Sequence, residues 1–248
     1  MSKVVLVTGG SRGIGAAVCR QAAAQGYKVA VNYASNGEAA EKVVADIRAG
    51  GGDAIALRGD VGSEADVLSV FDIVDHTYGP LDALVNNAGV VDVKARVDEI
   101  GLDRLERMFR VNTIGTILCA REAVRRMSTR HGGRGGAIVN VSSIAAVLGG
   151  VGEYVDYAAA KGAVDSFTIG LAREVAAEGI RVNAVRPGIT DTDIHASGGQ
   201  PDRAQRLKDQ IPMQRPGTAD EIAGAILYLL SDAASYTTGA LLNVTGGR

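Results

Sequence analysis

The stretch Thr8–Gly15 reads TGGSRGIG and joins an apolar, β-branched run at Lys3–Thr8 to an alanine-rich segment at Ala16–Gln25. The run before it is typical of a buried strand, and the segment after it is typical of a helix that ends at Gly26. Glycines let a strand-to-helix turn close tightly and let a pyrophosphate approach the backbone N–H groups at the helix N-terminus. A glycine-rich turn can also have a purely steric cause, but its place between a strand and a helix favours the binding of a dinucleotide.

The same alternation of strands and helices continues along the chain. Further strands are predicted at Lys28–Tyr33, Ala54–Arg58, Leu81–Asn86, Ala137–Val141, Ile180–Val185 and Leu241–Val244. Helices are predicted at Glu38–Ala49, from Ser63 to Gly79, at Leu102–Arg130, at Tyr157–Ala177, and behind a capping box formed by Thr218 and Glu221. This order predicts one α/β domain over residues 1–248, with a Rossmann-type, doubly wound, seven-stranded parallel sheet and helices on both faces. Ligands of such sheets bind at the carboxyl ends of the strands, where the winding reverses.

The composition argues against several other classes of protein. Of the 248 residues, 46% are hydrophobic, and the formal net charge of −2 shows no basic excess for a nucleic-acid partner. Cys19 and Cys119 lie in apolar helical patterns, so we expect no disulfide scaffold. His76, His131 and His195 are scattered, and we expect no metal site. The chain starts directly with a strand and shows neither a signal peptide nor a membrane-spanning apolar run, which predicts a cytoplasmic protein without a membrane partner.

Three further segments stand at predicted strand ends. Asn86–Gly89 reads NNAG and closes the fourth strand, Tyr157–Lys161 reads YAAAK and opens the helix after the fifth, and Arg186–Gly188 reads RPG and closes the sixth. Together with the glycine loop, their order resembles that of the short-chain dehydrogenase/reductase (SDR) family over nearly the whole chain. Four motifs in register are far more specific than any one of them. The resemblance implies an enzyme that transfers a hydride between a nicotinamide cofactor and a carbonyl or secondary-alcohol (CH–OH) substrate.

The end of the second predicted strand indicates which nicotinamide cofactor is bound. NAD-binding enzymes of this architecture have an acidic residue there, which bonds the ribose 2′-hydroxyl. Residues 31–36 read VNYASN and contain no carboxylate to repel a 2′-phosphate, while Arg12 in the glycine loop offers a positive charge and a fork of donors. Arg12 could also be a solvated loop residue, but the two features together favour NADP(H) over NAD(H).

The resemblance implies contacts with the cofactor along the carboxyl edge of the sheet. Asp60 and Val61 are expected to flank the adenine, residues 86–89 to hold the adenosine ribose, and residues 187–192 to hold the nicotinamide carboxamide. The full set of predicted cofactor residues is Gly9, Ser11, Arg12, Gly13, Ile14, Gly15, Asn32, Tyr33, Ala34, Ser35, Asp60, Val61, Asn86, Ala88, Gly89, Tyr157, Lys161, Pro187, Gly188, Ile189, Thr190 and Thr192.

Tyr157 is the predicted general acid/base. The alkoxide that develops when a ketone is reduced needs a proton, and a tyrosine, whose pKa is about 10 in model peptides, exchanges one near neutrality only if its ionised form is stabilised. Lys161 lies one helical turn further along the same face. Its ammonium, together with the positive charge of the oxidised nicotinamide, is expected to lower the tyrosine pKa. Tyr154 has Ala158 at the equivalent position and lacks this partner.

Ser143 is predicted to bind the substrate oxygen. The neighbouring Ser142 is the competing candidate, and the resemblance favours Ser143 because the family's serine is usually the last polar residue of its motif. Ser143 lies fourteen residues before Tyr157, one more than is typical of the family. We therefore expect the segment 149–153 to bulge and absorb the extra residue.

Asn112 completes the predicted catalytic set. It lies in the run 110–115, which reads RVNTIG, and asparagine, β-branched residues and glycine are all poor choices inside a helix. The run therefore predicts a local distortion. By resemblance, Asn112 holds a water that relays protons from Lys161 to bulk solvent. The alternative is a side chain that merely bonds the backbone.

Residues 190–213 are predicted to form a flap over the active site, and their mixed composition does not identify a substrate. Within the flap, His195 is expected to be a solvated loop residue rather than a substrate contact. One alternative function is a 3-oxoacyl-acyl-carrier-protein reductase, which needs a basic patch for an acidic carrier. Candidates for that patch are Arg203, Arg206, Lys208 and Arg215.

Two further alternatives remain from the sequence. One is a sugar dehydrogenase similar to glucose 1-dehydrogenase, and the other is a non-catalytic nucleotide-sensing module. The sensing module is disfavoured because regulatory relatives tend to lose the Tyr–Lys pair, which this chain keeps. The resemblance also implies a homotetramer that buries the fourth and fifth predicted helices and the last strand.

Overall fold

Seven strands of this protein form one parallel sheet. In the computed structural model, which describes residues 2–248, they are Val4–Val7 (β1), Lys28–Tyr33 (β2), Asp53–Arg58 (β3), Ala83–Asn86 (β4), Gly136–Val141 (β5), Ile180–Pro187 (β6) and Leu241–Val244 (β7). Their order in the sheet is β3-β2-β1-β4-β5-β6-β7, and every neighbouring pair is parallel. The doubly wound, Rossmann-type sheet predicted from the sequence is confirmed, and its winding reverses between β1 and β4.

Helices cover both faces of this sheet. The α-helices are Gly13–Ala24 (α1), Gly37–Ala49 (α2), Glu64–Tyr78 (α3), Leu102–Phe109 (α4), Gly115–Met127 (α5), Ala145–Leu148 (α6), Val155–Val175 (α7), Ile194–Ser197 (α8), Arg203–Arg206 (α9) and Ala219–Leu230 (α10). Side chains alternate along β1, so that Val5 and Val7 pack with α1, α2 and α10, while Val4 and Leu6 pack with α3, α5 and α7. Burial on both faces explains why the strands read as continuous apolar runs.

The long helix predicted at Leu102–Arg130 is divided in two. A π-helical turn at Arg110–Ile114 separates α4 from α5, which itself ends at Met127. The expected distortion is therefore present, and the single unbroken helix is wrong. A Cβ on Gly115 would lie 2.9 Å from the backbone oxygen of Val61, so only glycine lets this turn approach the segment after β3 so closely.

The segment between β5 and α7 protrudes, as the extra residue there led us to expect. After the single turn of α6, three glycines adopt left-handed φ angles of +78°, +61° and +70° at Gly149, Gly150 and Gly152. Val151, between them, has 85% of its surface exposed. Helix α7 then begins at Val155, two residues before the predicted start, so Tyr157 lies in its first turn.

Two features of the described residues bear on possible partners. None of the helices formed by residues 2–248 combines the length and the apolar character needed to cross a membrane. Over the same residues, no group of three or more His, Cys, Asp or Glu side chains is arranged to hold a metal ion.

Candidate active site

A cavity of about 470 Å³ opens at the carboxyl ends of β4, β5 and β6. Three of the four predicted catalytic residues line it, namely Ser143, Tyr157 and Lys161. It is also lined by predicted cofactor residues from the glycine loop, the segment after β4 and the end of β6, which are Ile14, Gly89, Pro187, Gly188, Ile189, Thr190 and Thr192. Residues far apart in the sequence thus meet in the crevice where a parallel sheet of this kind binds its ligands.

Tyr157 and Lys161 share one face of α7. The Lys161 ammonium lies over the Tyr157 ring, 5.8 Å from its centroid, and donates a hydrogen bond of 2.8 Å to the backbone oxygen of Val141. Burial lowers the pKa of Lys161 to about 8, and the negative charge of Asp165, one turn further along α7, opposes that shift. Lys161 is therefore a buried amine held in a fixed position.

The pKa of the Tyr157 phenol differs from our expectation. Burial raises its pKa to about 12, and only a hydrogen bond with Ser143 opposes this shift. The Lys161 ammonium is bound to the Val141 carbonyl and lies over the ring, and it does not overcome the cost of burying a phenolate. The groups of the chain alone therefore keep Tyr157 protonated, whereas the sequence led us to expect a lowered pKa.

The two adjacent serines have distinct contacts. Ser143 is half-buried, and its hydroxyl accepts a hydrogen bond of 3.1 Å from the backbone N–H of Ala145 at the start of α6. The Ser142 hydroxyl is buried and donates to the backbone oxygen of Lys161 at 3.3 Å. Both line the cavity, but of the two only Ser143 acts on the Tyr157 pKa, which it lowers.

Asn112 lies in the π-helical turn, and its side chain is fully buried. Its amide donates to the backbone oxygens of Val90 and Met108 at 2.9 and 3.0 Å, and its oxygen accepts from the Val90 N–H at 3.0 Å. A Cβ on Gly89 would lie 2.9 Å from this amide oxygen and 3.6 Å from the Lys161 ammonium. The Asn112 side chain therefore bonds the backbone, as in the alternative left open by the sequence, and it holds the segment after β4 against Lys161.

The glycine loop fits the approach of a pyrophosphate. Gly9 has a φ of +61°, and a Cβ there would lie 2.9 Å from the Cα of Ala88. A Cβ on Gly15 would lie 2.4 Å from the backbone oxygen of Gly9. Gly13 has a φ of +52° and faces Thr192 across the crevice. The loop at the start of α1 therefore has no side chain at Gly9, Gly13 and Gly15, and there the backbone N–H groups and the helix dipole favour an anion.

Arg12 caps α1 in an extended conformation and is exposed. Among residues 2–248, no hydrogen bond or ion pair engages its guanidinium. The nearby ends of β2 and β3 present Ala34, Ser35 and Asp60 at the surface, while Ser11 and Tyr33 are half-buried. This part of the crevice therefore offers an unpaired cation and no acidic side chain at the end of β2.

Two predicted cofactor residues have side chains that face inward instead. The Asn32 amide donates to the backbone oxygens of Leu57 and Gly59 at 3.3 and 2.9 Å, and its oxygen accepts from the Gly9 N–H at 3.4 Å. The Asn86 amide donates to the Asn140 side chain at 3.0 Å and to the backbone of α5. Both side chains hold the framework of the crevice and are not presented to a ligand. Val61 is likewise buried and packs against Gly115.

Asn87 is a cavity residue that the predicted set omits. It lines the cavity, and its amide donates to the backbone oxygens of Thr8 and Gly9, both at 3.0 Å. Because it belongs to the NNAG segment, the motif itself contained the signal for it. Its bonds fix the glycine loop to the end of β4.

The outer wall of the cavity is built from residues that the sequence did not assign to the site. Glu153 and Tyr154 come from the segment before α7, and His195 and Arg203 come from the predicted flap. Gln200, also in the flap, donates a hydrogen bond of 2.6 Å to the Tyr154 hydroxyl. No local motif marks these residues, because they meet only through the tertiary fold.

His195 differs from the solvated residue that we expected. It is half-buried, lines the cavity, and its Nε2 lies 2.9 Å from the backbone oxygen of Thr190. Since a carbonyl can only accept, Nε2 carries the proton of this bond. Burial lowers the pKa of His195, so the imidazole is neutral near pH 7.

Known proteins resemble this chain in sequence and in fold. A family model described as enoyl-(acyl carrier protein) reductase matches residues 9–248. The uncharacterized oxidoreductase YgfF of Escherichia coli K12 is 53% identical over 99% of each chain. The 3-oxoacyl-(acyl-carrier-protein) reductase FabG of Staphylococcus aureus is 39% identical over 100% of this chain and 98% of its own. A solved short chain dehydrogenase of Burkholderia cenocepacia, in complex with NADP, superimposes with a TM-score of 0.90 at 35% identity, over 99% of this chain and 97% of that one. This chain therefore belongs to the short-chain dehydrogenase/reductase family of oxidoreductases.

Proposed function

We propose that this protein is an NADP(H)-dependent oxidoreductase that transfers a hydride between nicotinamide and a carbonyl or secondary-alcohol substrate. The observation that supports this most directly is the shared cavity, in which Ser143, Tyr157 and Lys161 lie together with Ile14 of the glycine loop and residues 187–190 at the end of β6. The proposed domain covers residues 1–248, with the flap at 190–213.

Tyr157 is the proposed proton donor in the direction of reduction. Its raised pKa keeps the phenol protonated at neutral pH, which suits an acid that must protonate a developing alkoxide. Ser143, which lines the cavity with Tyr157, orients the substrate oxygen toward the phenol. When bound, the nicotinamide supplies or accepts the hydride and, in its oxidised form, adds a positive charge to the cavity. For alcohol oxidation Tyr157 must lose its proton, so this direction depends more strongly on the positive charges near the phenol.

Lys161 and Asn112 have supporting roles in this proposal. The buried Lys161 ammonium donates one hydrogen bond to Val141 and retains further donors for the ribose of the cofactor. The two N–H donors of the Asn112 side chain bond the backbone oxygens of Val90 and Met108. A water that relays protons from Lys161 would therefore be held by a carbonyl oxygen of Asn112 and not by these donors. Asn112 is on this account chiefly a positioning residue.

Preference for NADP(H) is proposed from Arg12 and from the absence of a carboxylate at the end of β2. The Arg12 guanidinium is exposed and unpaired among residues 2–248, and it can therefore bind a 2′-phosphate without breaking an internal contact. That a solved relative was obtained in complex with NADP supports the same choice. The Asn32 side chain is not part of this proposal, because it bonds the backbone beneath the loop.

The decisive experiment is a panel of ketones, aldehydes, sugars and acyl-thioesters, followed through NADPH absorbance with NADH in parallel. We expect turnover with NADPH, and we expect Tyr157→Phe to lose roughly 10²–10⁴-fold in kcat, which is the usual contribution of a general acid. Cofactor binding should persist in this variant. Tyr228→Phe, which changes an exposed tyrosine of α10, is the matched control. Full activity of Tyr157→Phe, or binding of NADPH without turnover on any substrate, would exclude the proposal.

A 3-oxoacyl-acyl-carrier-protein reductase is the second candidate, because a relative of that name is 39% identical over the whole chain. The basic patch that we predicted for it is not a continuous free surface. Arg203 is largely buried against Glu153, and Arg215 forms a close ion pair with Glu221. Acyl-thioesters in the panel test this candidate directly.

We also propose a homotetramer. Exposed apolar side chains in the segment 102–130, the fourth predicted helix, and on the last strand support it, namely Leu102, Ile114, Ile117 and Leu242. Light scattering coupled to size-exclusion chromatography measures the mass, and a monomeric mass of 25.5 kDa would contradict the tetramer.

A further inference from the structure

The guanidinium of Arg203 is held in a fixed orientation at the cavity wall. Its central carbon lies 5.2 Å from the centroid of the Tyr154 ring, which supports the group. Its Nη1 lies 2.6 Å from a carboxylate oxygen of Glu153, and only 13% of the Arg203 side chain is exposed. Arg203 lines the same cavity as Ser143 and Tyr157. A flexible side chain has thus been fixed by two contacts beside the reacting groups.

This guanidinium is ion-paired with Glu153, but none of its N–H groups makes a hydrogen bond in the described part of the chain. Nη1 is completely buried and lacks a hydrogen-bond partner, since its contact with Glu153 is ionic without hydrogen-bond geometry. Nε and Nη2 likewise make no hydrogen bond within residues 2–248. Buried polar groups are almost always hydrogen-bonded in native proteins, and one left without a partner costs free energy. Nη1 faces Glu153, so Nε and Nη2 are the donors of this fixed guanidinium that a ligand in the cavity can engage.

The charges around the cavity favour an anionic acceptor. Lys161, Arg203 and Arg248 are the cationic side chains that line it, and Glu153 is the only acidic one. His195 adds no charge near neutrality, because burial lowers its pKa. The planar fork of an arginine matches the two oxygens of a carboxylate and binds it with two parallel hydrogen bonds.

We propose that Arg203 binds a carboxylate of the substrate, so that the substrate class is oxo acids and the corresponding hydroxy acids. This inference rests on the proposed oxidoreductase function. In the reduction, the carbonyl carbon gains a hydride as NADPH is oxidised to NADP⁺, and the carbonyl oxygen gains the proton of Tyr157. The carboxylate is unchanged and serves only for recognition. Glu153 and Tyr154 act as positioning residues that hold the Arg203 fork toward the cavity.

The test compares each acid with its neutral ester. The substrates are 2-oxobutanoate and 4-oxopentanoate with their methyl esters, and the wild-type enzyme is compared with Arg203→Met and Arg203→Lys. Of the two oxo acids, we take the one that wild type turns over with the higher kcat/KM. We expect its kcat/KM to exceed that of its methyl ester by about tenfold or more, the size of one charge-assisted hydrogen-bonded contact. Arg203→Met should bring this ratio close to one, and Arg203→Lys, which keeps the charge but not the fork, should give an intermediate ratio. Lys208→Met removes an exposed flap cation outside the cavity lining and should leave the ratio unchanged.

A second measurement separates failure of this inference from failure of the proposed function. Pentanoate, which has a carboxylate but no ketone group to reduce, is titrated calorimetrically into the NADP⁺-loaded protein. Weaker binding to Arg203→Met and Arg203→Lys supports the carboxylate site even if no substrate of the panel is turned over. The inference is overturned if esters or neutral polyols are the better substrates of wild type, or if the acid preference and pentanoate binding survive both substitutions. Thermal melting establishes that each variant is folded.

Discussion

Replacing Arg12 with alanine is the sharpest test of the cofactor assignment. Arg12 is exposed and makes no ion pair with the rest of the described chain, so its removal leaves no partner unsatisfied and should change folding stability by no more than about 0.5 kcal/mol. A hydrogen bond to a charged group contributes about 1.5–3 kcal/mol, and screening at an exposed site favours the lower limit. About 1.5 kcal/mol corresponds to roughly a tenfold change in an equilibrium constant. We therefore expect the KM for NADPH to rise about tenfold, while the KM for NADH changes less than about twofold.

The assay is steady-state turnover with each cofactor at low and high ionic strength. The NADPH defect should shrink as salt screens the phosphate–guanidinium attraction in the wild type. Arg20→Ala is the matched control, since Arg20 is an exposed arginine of α1 that pairs with Asp46 of α2 at 3.1 Å. An unchanged KM for NADPH in Arg12→Ala, or an equal loss with NADH, would refute the assignment of the 2′-phosphate to this residue.

Three further predictions follow from contacts in and around the site. Asp165→Asn removes the anion that raises the Lys161 pKa, so that pKa should fall further below its ordinary value, and the high-pH decline of kcat/KM should begin at a lower pH. A loss of rate without a shift of the profile would contradict this role. Gly89→Ala places a Cβ 2.9 Å from the Asn112 amide oxygen, and we expect both the melting temperature and kcat to fall; a fully active, equally stable variant would show that the contact is readily relieved. The pKa of Glu221 is lowered to about 2, chiefly by its arginine partner, so its contribution to stability is present above the ordinary pKa of 4.5 and is lost as the pH falls from there toward 2. Thermal melting of Glu221→Gln should therefore differ from wild type at pH 7 and converge with it near pH 2.

The sheet could be predicted from the sequence because each strand and each turn is marked by residues that are close together in the chain. Each strand is a short apolar run, each is followed by a helical pattern, and turns such as Gly26 and Gly79 separate them. The short helices α6, α8 and α9 were missed, because each is a single turn without a periodic apolar face. The π-helical turn was foreseen as a distortion at Asn112, although its exact effect on the long helix depends on how closely Gly115 approaches Val61.

The properties of the site can be divided in the same way, into those that local motifs predict and those that depend on the tertiary fold. Tyr157, Lys161 and Ser143 belong to local motifs, and the cavity contains all three. The inward direction of the Asn86 side chain depends instead on Asn140, a partner 54 residues away on the neighbouring strand. The raised pKa of Tyr157 likewise depends on how deeply the fold buries the phenol, which no spacing of residues encodes.

The hydrogen bond between Gln200 and the Tyr154 hydroxyl has a consequence for how this enzyme can change over evolution. Tyr154 immediately precedes α7, and Gln200 belongs to the predicted flap, so this segment of the cavity wall is tethered to the start of the helix that carries Tyr157, the proposed proton donor. Widening the entrance by loosening this segment would therefore also release the start of that helix. We therefore expect variants that accept a broader range of substrates to position Tyr157 less well. Variants that avoid this loss will need a new anchor for Tyr154.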